Sequence, residues 1–421
     1  MKLISALFLA LLLTGLARGQ SVVTLEQGYA AALTNDPLSR QRELVQQTGD
    51  LTVANLDKNR WLPQVGVNGQ ATWQSEVTQL PIELPNIAVP QLSKNQYKLT
   101  ADASYTLFDG QQTTLRKQVQ RAGTAVGLQQ VAVDQNRLKD QVNAYFLNSL
   151  LTDENTRLTQ NRLAELQNRI VKAEAGVKFG TVATMNVNVL RAEVLNAEQQ
   201  LAQLGATRRG LRDQLAILTG LTITDSTRLV VAEVQTGTAN LSLNRPEQKL
   251  FESQRTLLDA QLRLTNHRLQ PRLSAFAQGG AGRPALNFLN NDFRGFFIGG
   301  IRLSWNLSSA YTLRNDRTVL ALNREQIDVQ QKVFDRNLSL QLRQQQTEID
   351  RISALLDKDQ EISALRSKIR QTASIQLDNG TIAARDYASE LNAESLALLN
   401  QKTHELQLLL AKIQYRTLTG N

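Results

Sequence analysis

The sequence repeats one domain-sized pattern, and this duplication is its strongest constraint on the fold. The recurring motifs are Asn-Asp-Pro at 35–37 and Asn-Arg-Pro at 244–246, Gly-Thr at 180–181 and 380–381, and Leu-Thr-Gly at 218–220 and 418–420. The two copies are offset by about 200 residues. Because solenoid repeats are roughly 20–50 residues long, the repeated unit is a whole domain. The sequence therefore predicts a pseudo-symmetric molecule.

Residues 1–19 are predicted to be a secretory signal peptide. Lys2 supplies the positive charge, Leu3–Leu16 is the apolar stretch, and Ala17-Arg18-Gly19 offers small residues for cleavage. An uncleaved N-terminal anchor is the alternative. The chain contains no cysteine, which excludes a lipid-modified cysteine, disulfides and thiolate metal sites.

The charge and hydropathy of the chain exclude two classes of function. Its formal net charge of +9 comes from 47 basic and 38 acidic residues that are spread along the sequence. Nucleic-acid binding needs a localised basic patch with aromatic residues, so we expect no nucleic-acid partner. Beyond the predicted signal, no stretch approaches the ~20 apolar residues of a membrane-spanning helix. We therefore expect no crossing of an inner membrane by helices.

Each copy contains two stretches in which apolar residues occupy every second position. These stretches lie at 65–73, 97–107, 273–277 and 297–305. Strict alternation predicts strands, and strands of about ten residues can cross a bilayer at a tilt. The predicted hairpins span about 64–108 and about 272–307, with exposed loops at 78–92 and 279–292. The alternative is a soluble hairpin packed on a core.

Helical spacing follows each predicted β-hairpin. The helical hairpins are predicted at about 110–218, with a break at Gly180-Thr181, and at about 312–418, with a break at Asn379–Thr381. A proline-free helix of about 70 residues is roughly 100 Å long, which exceeds the diameter of an ordinary domain. These helices must therefore project as antiparallel hairpins. Apolar residues three and four positions apart indicate a coiled-coil-like seam along them.

The chain is therefore divided into a signal peptide (1–19), a first repeat (20–220), a connector (221–243) and a second repeat (244–421). Shorter helices open the repeats. They are predicted at Thr24–Leu33, from Pro37 to Asn59, and at Pro246–Leu269. Both prolines suit a first helical turn, where no backbone N–H is needed. The connector lacks helical spacing and contains one possible strand, Arg228–Val234.

The number of strands requires more than one copy of the chain. Each chain supplies four candidate membrane strands, whereas strands in lipid must close into a barrel and the smallest barrels use about eight strands. A dimer gives about eight strands and a trimer about twelve, and the sequence alone leaves both open. We infer a shared barrel that continues into a helical tube.

One motif lies between a predicted strand and a long helix, and it is Leu107-Phe108-Asp109-Gly110. It resembles the strand-to-helix junction of the TolC-type outer-membrane efflux proteins. The Asn-Asp-Pro opening, the Trp61-Leu62-Pro63 step, the Gly-Thr turns and the Leu-Thr-Gly ends support the resemblance in both copies. It implies a mixed, mainly α fold with an internally duplicated unit of β-hairpin plus long α-helical hairpin. Three chains would form a twelve-stranded transmembrane β-barrel in the outer membrane, continued by a periplasmic α-helical tunnel.

The resemblance also implies partners and a function. The chain would assemble as a homotrimer. Its other partners would be a periplasmic adaptor (membrane fusion) protein, an inner-membrane efflux pump or ABC exporter, and outer-membrane lipid. The chain would be the passive conduit of a tripartite efflux or type I secretion system.

Two kinds of site follow from the resemblance. The adaptor-docking tips fall on Val177, Phe179, Gly180, Thr181, Ala183, Thr184, Leu377, Gly380, Thr381, Ala383 and Ala384. The periplasmic gate falls on Asp386, with Arg385 as a candidate link that keeps the tunnel shut. The second acidic position of the family falls near Ser389, which is not an acid, although Glu390 follows it.

We predict no enzyme, no catalytic residue, no cofactor and no metal site. The only two histidines, His267 and His404, lie in separate predicted helices with no carboxylate cluster nearby. The alternatives are a structural coiled-coil or adhesin protein of the cell envelope, and a periplasmic adaptor. The alternating strands and proline stops of both copies disfavour the first. Two helical hairpins together with membrane-type strands disfavour the second.

Overall fold

The computed structural model describes residues 22–78, 92–231, 243–287 and 290–420. The predicted signal peptide, most of the predicted loop 78–92 and about half of the connector lie outside these ranges. The helices are α1 (Leu25–Asn35), α2 (Pro37–Trp61), α3 (Gln112–Lys178), α4 (Thr184–Thr219), α5 (Pro246–Asn266), α6 (Ala310–Asp378) and α7 (Ala384–Thr419). The strands are β1 (Val22–Thr24), β2 (Gln64–Trp73), β3 (Asn95–Phe108), β4 (Arg228–Val230), β5 (Arg272–Arg283) and β6 (Arg294–Ser304).

The chain forms two compact units, and each unit contains parts of both sequence copies. The first unit comprises the chain up to Gln41, Val131–Gln248 and Val333 onward. The second comprises Arg42–Gln130 and Lys249–Lys332. The units therefore follow tertiary packing rather than the boundaries of the repeats.

A four-stranded antiparallel sheet lies in the second unit, in the order β2-β3-β5-β6. The register pairs Asn68 with Thr100 and Val67 with Ala101, so polar residues share one face and apolar residues share the other. Val67 on the apolar face is 71% exposed. The two predicted β-hairpins are present.

One predicted loop boundary is wrong. The sequence predicts a loop at residues 279–282, but these residues continue β5 to Arg283. Three of the four are glycine, which has no side chain to mark a face, and the alternation therefore fades in the sequence.

The long helices match their predicted limits closely. The two longest, α3 and α6, have 67 and 69 residues, and each contains no proline. The predicted end of α5 at Leu269 is wrong, because the helix ends at Asn266 and a turn follows before Pro271. Proline disfavours helical geometry in the residue before it. No helix among the described residues is both long and apolar enough to span a membrane.

A mixed core fills part of the first unit. Strand β1 pairs in parallel with β4, aligning Val23 with Leu229. Leu25, Phe146, Leu215 and other apolar side chains pack together here and are fully buried or nearly so. The short strand β1 does not appear in the sequence-based prediction.

The recurring motifs of each copy meet one another in the first unit. The Asn35 side chain donates to the carbonyl of Ile217 at 3.0 Å, and a Cβ on Gly220 would lie 2.8 Å from Asn35 Oδ1. In the second copy, the Asn244 N–H donates to the Thr419 carbonyl at 2.9 Å. Gly420, like Gly220, has a positive φ and no room for a side chain. The Asn-x-Pro start of each copy therefore closes on its own Leu-Thr-Gly end.

Candidate functional site

Two turns join the long helices, and we call them the first tip (residues 177–184, between α3 and α4) and the second tip (residues 377–384, between α6 and α7). Gly180 and Gly380 have φ values of 72° and 71°. The left-handed conformation strains residues that carry a Cβ, so glycine suits both turns. The N–H groups of Thr181 and Thr381 donate to the carbonyls of Gly176 and Gln376, both at 2.9 Å. The two tips therefore share one backbone geometry.

The predicted docking residues differ in their exposure. Phe179 is 83% exposed, whereas Ala384 is 1% exposed and belongs to a buried core. Val177 and Leu377 are partly buried. The other predicted docking residues are exposed, and they are Gly180, Thr181, Ala183, Thr184, Gly380, Thr381 and Ala383. The exposed members belong to two separate turns of chain, and Thr181, Ala183 and Gly380 line the same cavity of about 300 Å3.

The predicted gate residues lie at the start of α7. Arg385 and Asp386 are exposed, and the Asp386 carboxylate accepts a hydrogen bond from the Ala383 N–H at 3.2 Å. A carboxylate in the first turn also interacts favourably with the helix dipole. Glu390 forms an ion pair with Arg366 of α6 at 3.3 Å. Asp386 has no such ion pair among the described residues.

A small core beneath the tips holds the two helical hairpins together. It combines Leu166 of α3, Leu190 of α4, Ala373 of α6 and Tyr387 of α7. Tyr387 is fully buried. The tips are therefore anchored on side chains from all four long helices.

A charged network at this core joins the first copy to the second. Arg169 of α3 binds Glu165 at 3.2 Å and Asp378 of α6 at 2.8 Å. Its guanidinium carbon lies 4.9 Å from the centre of the Tyr387 ring, within the range of a cation–π contact. Tyr387 donates its hydroxyl to Glu165 at 2.7 Å, and Arg169 also donates to Ser374. We call Glu165, Arg169, Asp378 and Tyr387 the inter-copy network.

The network changes the acidity of its members. Burial raises the pKa of Tyr387 to about 12, and the hydrogen bond to Glu165 acts in the same direction. Burial also opposes ionisation of Glu165. The hydrogen bonds from Tyr387 and Arg169 outweigh this effect and lower the pKa of Glu165 below its usual value. The carboxylate is therefore ionised and the phenol neutral at pH 7.

The sequence-based prediction does not identify this network. The only local signal is that Glu165 and Arg169 are four residues apart on one helix, a spacing that allows an ion pair. Asp378 and Tyr387 are about 210 and 220 residues further along the chain, and only tertiary packing brings them to Arg169. The prediction places the important charges at Arg385, Asp386 and Glu390 instead.

Metal-binding residues do not gather in the described ranges, where no group of three or more His, Cys, Asp or Glu could hold an ion. His404 has one carboxylate partner. Its Nδ1 is hydrogen-bonded to Asp359 of α6, because α6 and α7 lie side by side. His267 lies in the turn after α5.

No protein-family model matches the sequence, and no curated protein matches it. The structure is nevertheless similar to solved outer-membrane channels over most of the chain. OprN has a TM-score of 0.70 at 16% identity, covering 94% of this chain and 90% of OprN. VceC from Vibrio cholerae has a TM-score of 0.67 at 12% identity, covering 93% of this chain and 96% of VceC. The open state of MtrE from Neisseria gonorrhoeae has a TM-score of 0.66 at 15% identity, covering 94% of this chain and 88% of MtrE.

The chain has the fold of an outer-membrane channel. More particularly, its long helical hairpins and β-hairpins match the TolC-type channels. The predicted mainly α fold, with long helical hairpins and β-hairpins, is thereby confirmed.

Proposed function

We propose that this chain is the outer-membrane channel and periplasmic tunnel of a tripartite efflux or type I secretion system. It is a passive conduit that depends on an inner-membrane efflux pump or ABC exporter for energy. The observation that carries the proposal is the sheet β2-β3-β5-β6, which has one apolar face and two open edges.

The open edges require neighbouring copies. Among the described strands, none pairs with the outer edge of β2 or β6. Unpaired backbone groups are not tolerated in lipid, so β6 of one copy is expected to pair with β2 of the next. Three copies of this four-stranded sheet give a closed barrel of twelve strands. The apolar face then contacts outer-membrane lipid.

The helices give independent support for contact with another copy. Val319, Leu322 and Val329 of α6 are each more than half exposed. They occupy a and d positions of a heptad pattern, the spacing that buries apolar residues against another helix. We assign this seam to the contact with a neighbouring copy.

The tips are proposed to dock a periplasmic adaptor protein. The exposed predicted residues provide the contact surface. Leu377 packs against the core under the tips, Ala384 belongs to that core, and Val177 is partly buried. In this proposal the helical part lies in the periplasm and the sheet lies in the outer membrane.

Asp386 is proposed as the main gate residue. Three copies would present a ring of carboxylates, which attracts cations at a constriction. Glu390 is already paired with Arg366 and contributes less charge. Arg385 is exposed, beside Asp386, and is proposed to link neighbouring hairpins in the shut tunnel.

The function is tested on the purified full-length protein. We expect a heat-modifiable trimer band in outer-membrane fractions and single-channel conductance in planar bilayers. A protein that stays monomeric and gives no conductance would overturn the proposal and favour a structural envelope protein.

The gate is tested with Asp386→Ala. We expect higher conductance or relief of block by divalent cations. Glu390→Gln is the matched comparison and should change both properties less, since its carboxylate is already paired. Wild-type conductance and wild-type cation sensitivity in Asp386→Ala would remove the gate assignment.

A further inference from the structure

The polar face of the four-stranded sheet carries an excess of positive charge. The strand registers place Lys98, Asp102, Arg272, Arg294 and Arg302 on this face, together with Asn68 and Gln278. Four of the five charged side chains are basic. On the opposite, apolar face the only charged residue of the four strands is Arg283, at the end of β5.

Two of these cations lie against aromatic rings. The guanidinium carbon of Arg302 is 4.7 Å from the ring centre of Phe276, and Lys98 Nζ is 5.2 Å from that of Phe296. Neither cation forms an ion pair within the part of the chain that the structure describes. A ring face holds a cation in place without neutralising it. Both charges therefore remain available to a solute.

The one acidic residue of this face is satisfied locally. Asp102 accepts hydrogen bonds from Asn68 at 2.8 Å and Thr100 at 3.0 Å, and also from Gln278. Arg294, at the start of β6, lies 3.7 Å from Asp292. A cavity of about 670 Å3 opens on the face and is lined by Lys98, Asp102 and Arg302 among others.

We propose that this face is an anion-attracting lining of the pore. The inference rests on the barrel proposed above, in which the polar face points to the lumen. Thr106 pairs with Ser274, which pairs with Arg302, so Lys98 and Arg302 stand roughly 25 Å apart along the strands. Each barrel would carry three copies of both cations, one set near each end. The favoured solutes are those that bear carboxylate, sulfate or phosphate groups.

The expected size of the effect follows from Coulomb's law with screening. A lumen wall of twelve strands lies roughly 10 Å from the axis. Three charges at that distance change the local anion concentration about twofold at 0.1 M salt. The change is larger at about 0.01 M salt, because the Debye length grows from about 10 Å to about 30 Å.

The test measures ion selectivity of the full-length protein in planar bilayers under a KCl gradient. An Asp386→Ala background removes the carboxylates of the proposed gate, whose cation preference would otherwise oppose that of the barrel. In this background, Lys98→Gln combined with Arg302→Gln should lower the chloride-to-potassium permeability ratio about twofold or more. Asp102→Asn should raise the ratio. Arg283→Gln, on the apolar face of the same sheet, is the matched control and should leave it unchanged.

The outcomes separate this inference from the proposed function. A permeability ratio that is the same in the double variant, in Asp102→Asn and in the background protein would overturn the anion-attracting lining, while the conductance itself would still support a channel. A complete lack of conductance in folded protein would overturn the barrel and this inference with it. Trimer formation by each variant, checked by its heat-modifiable band, excludes misfolding as the cause of a change.

Discussion

The two tips have the same backbone and different surfaces. Both have a left-handed glycine, and both have a threonine whose hydroxyl and N–H bond to the carbonyl five residues earlier. The exposed side chains at and directly after the first tip include Phe179 and Met185, and the positions about 200 residues later hold Asn379 and Arg385. Backbone geometry was retained because the turn demands it, whereas the surface side chains were free to diverge.

The first turns of the helices that follow the two tips, α4 and α7, also differ in their hydrogen bonds. Asn186 of the first copy accepts a hydrogen bond from the Ala384 N–H of the second copy, at 3.3 Å. The corresponding Asp386 accepts from Ala383 in its own tip. The inter-copy network is likewise one-sided. Its equivalents at an offset of about 200 residues are Leu365, Ile369, Lys178 and Val187. Among the described residues, the equivalent positions therefore form no second network of this kind.

The largest expected effect comes from breaking the one-sided network. Arg169→Met should lower the free energy of unfolding by about 2 kcal/mol, because it removes the charged hydrogen bonds of a buried guanidinium to Glu165 and Asp378, whose carboxylates are partly exposed. Ile369→Ala, at the equivalent and exposed position, should cost less than about 1 kcal/mol. Urea-induced unfolding followed by circular dichroism measures both. Equal losses of unfolding free energy in the two variants would show that the inter-copy network does not add to stability.

An intermediate effect is expected at the two glycines, and it should be symmetric. Gly180→Ala and Gly380→Ala should each destabilise the protein by about 1–2 kcal/mol, the cost of a left-handed residue with a Cβ. A Cβ added to either glycine would meet no atom within 4 Å, so the cost is one of backbone strain alone. Asparagine, which tolerates this conformation, should restore part of the loss. Thermal or urea unfolding of the four variants measures the costs, and a large difference between the two copies would contradict the shared geometry.

The next expectation concerns alkaline pH. The pKa of Tyr387 is raised to about 12 in the folded protein, from 10 when exposed. Stability from this group is complete below pH 10 and is lost as the pH rises toward 12. Tyr29 of the first copy also has a pKa raised to about 12, mainly by burial. Tyr387→Phe should therefore flatten the pH dependence of unfolding between pH 10 and 12 without abolishing it.

The smallest effect on stability is expected at the exposed aromatic tip residue. Phe179→Asn should change the free energy of unfolding by no more than about 0.5 kcal/mol, since its side chain packs against little. Its effect should lie in docking. A photo-crosslinker at position 179 in intact cells should label an adaptor-class protein more strongly than one at position 379. Equal or stronger labelling from position 379 would contradict a docking contact through Phe179.

Most of the fold could be predicted from the sequence because its elements are long and strongly periodic. The limits of α3 and α6 lie close to those expected from the spacing of apolar residues and the absence of proline. The errors fall where the local signal is weak. Residues 279–282 are rich in glycine and carry no alternation, and β1 has three residues, too few for any periodicity to be detected.

The site was less predictable than the fold. The glycines at the tips are visible in the sequence because a turn needs them at a fixed position. Arg169 looks like any arginine on a long helix, because its importance comes from Asp378 and Tyr387 on two other helices. The burial of Ala384 in a core could not be predicted either, since nothing in the sequence distinguishes a buried alanine at the start of a helix from an exposed one.

The contacts of Asn35 with the end of α4, and of Asn244 with the end of α7, bear on how such a chain arises. Each copy meets its own beginning at its own end, so a single copy has its termini side by side. A gene of half this length could encode one copy, and six such chains would supply the strands and helical hairpins that three full chains supply. Fusing two such chains would leave the contacts between the start and the end of each copy intact. A fused chain allows its two halves to differ, as they do where Arg169 of the first copy binds Asp378 of the second.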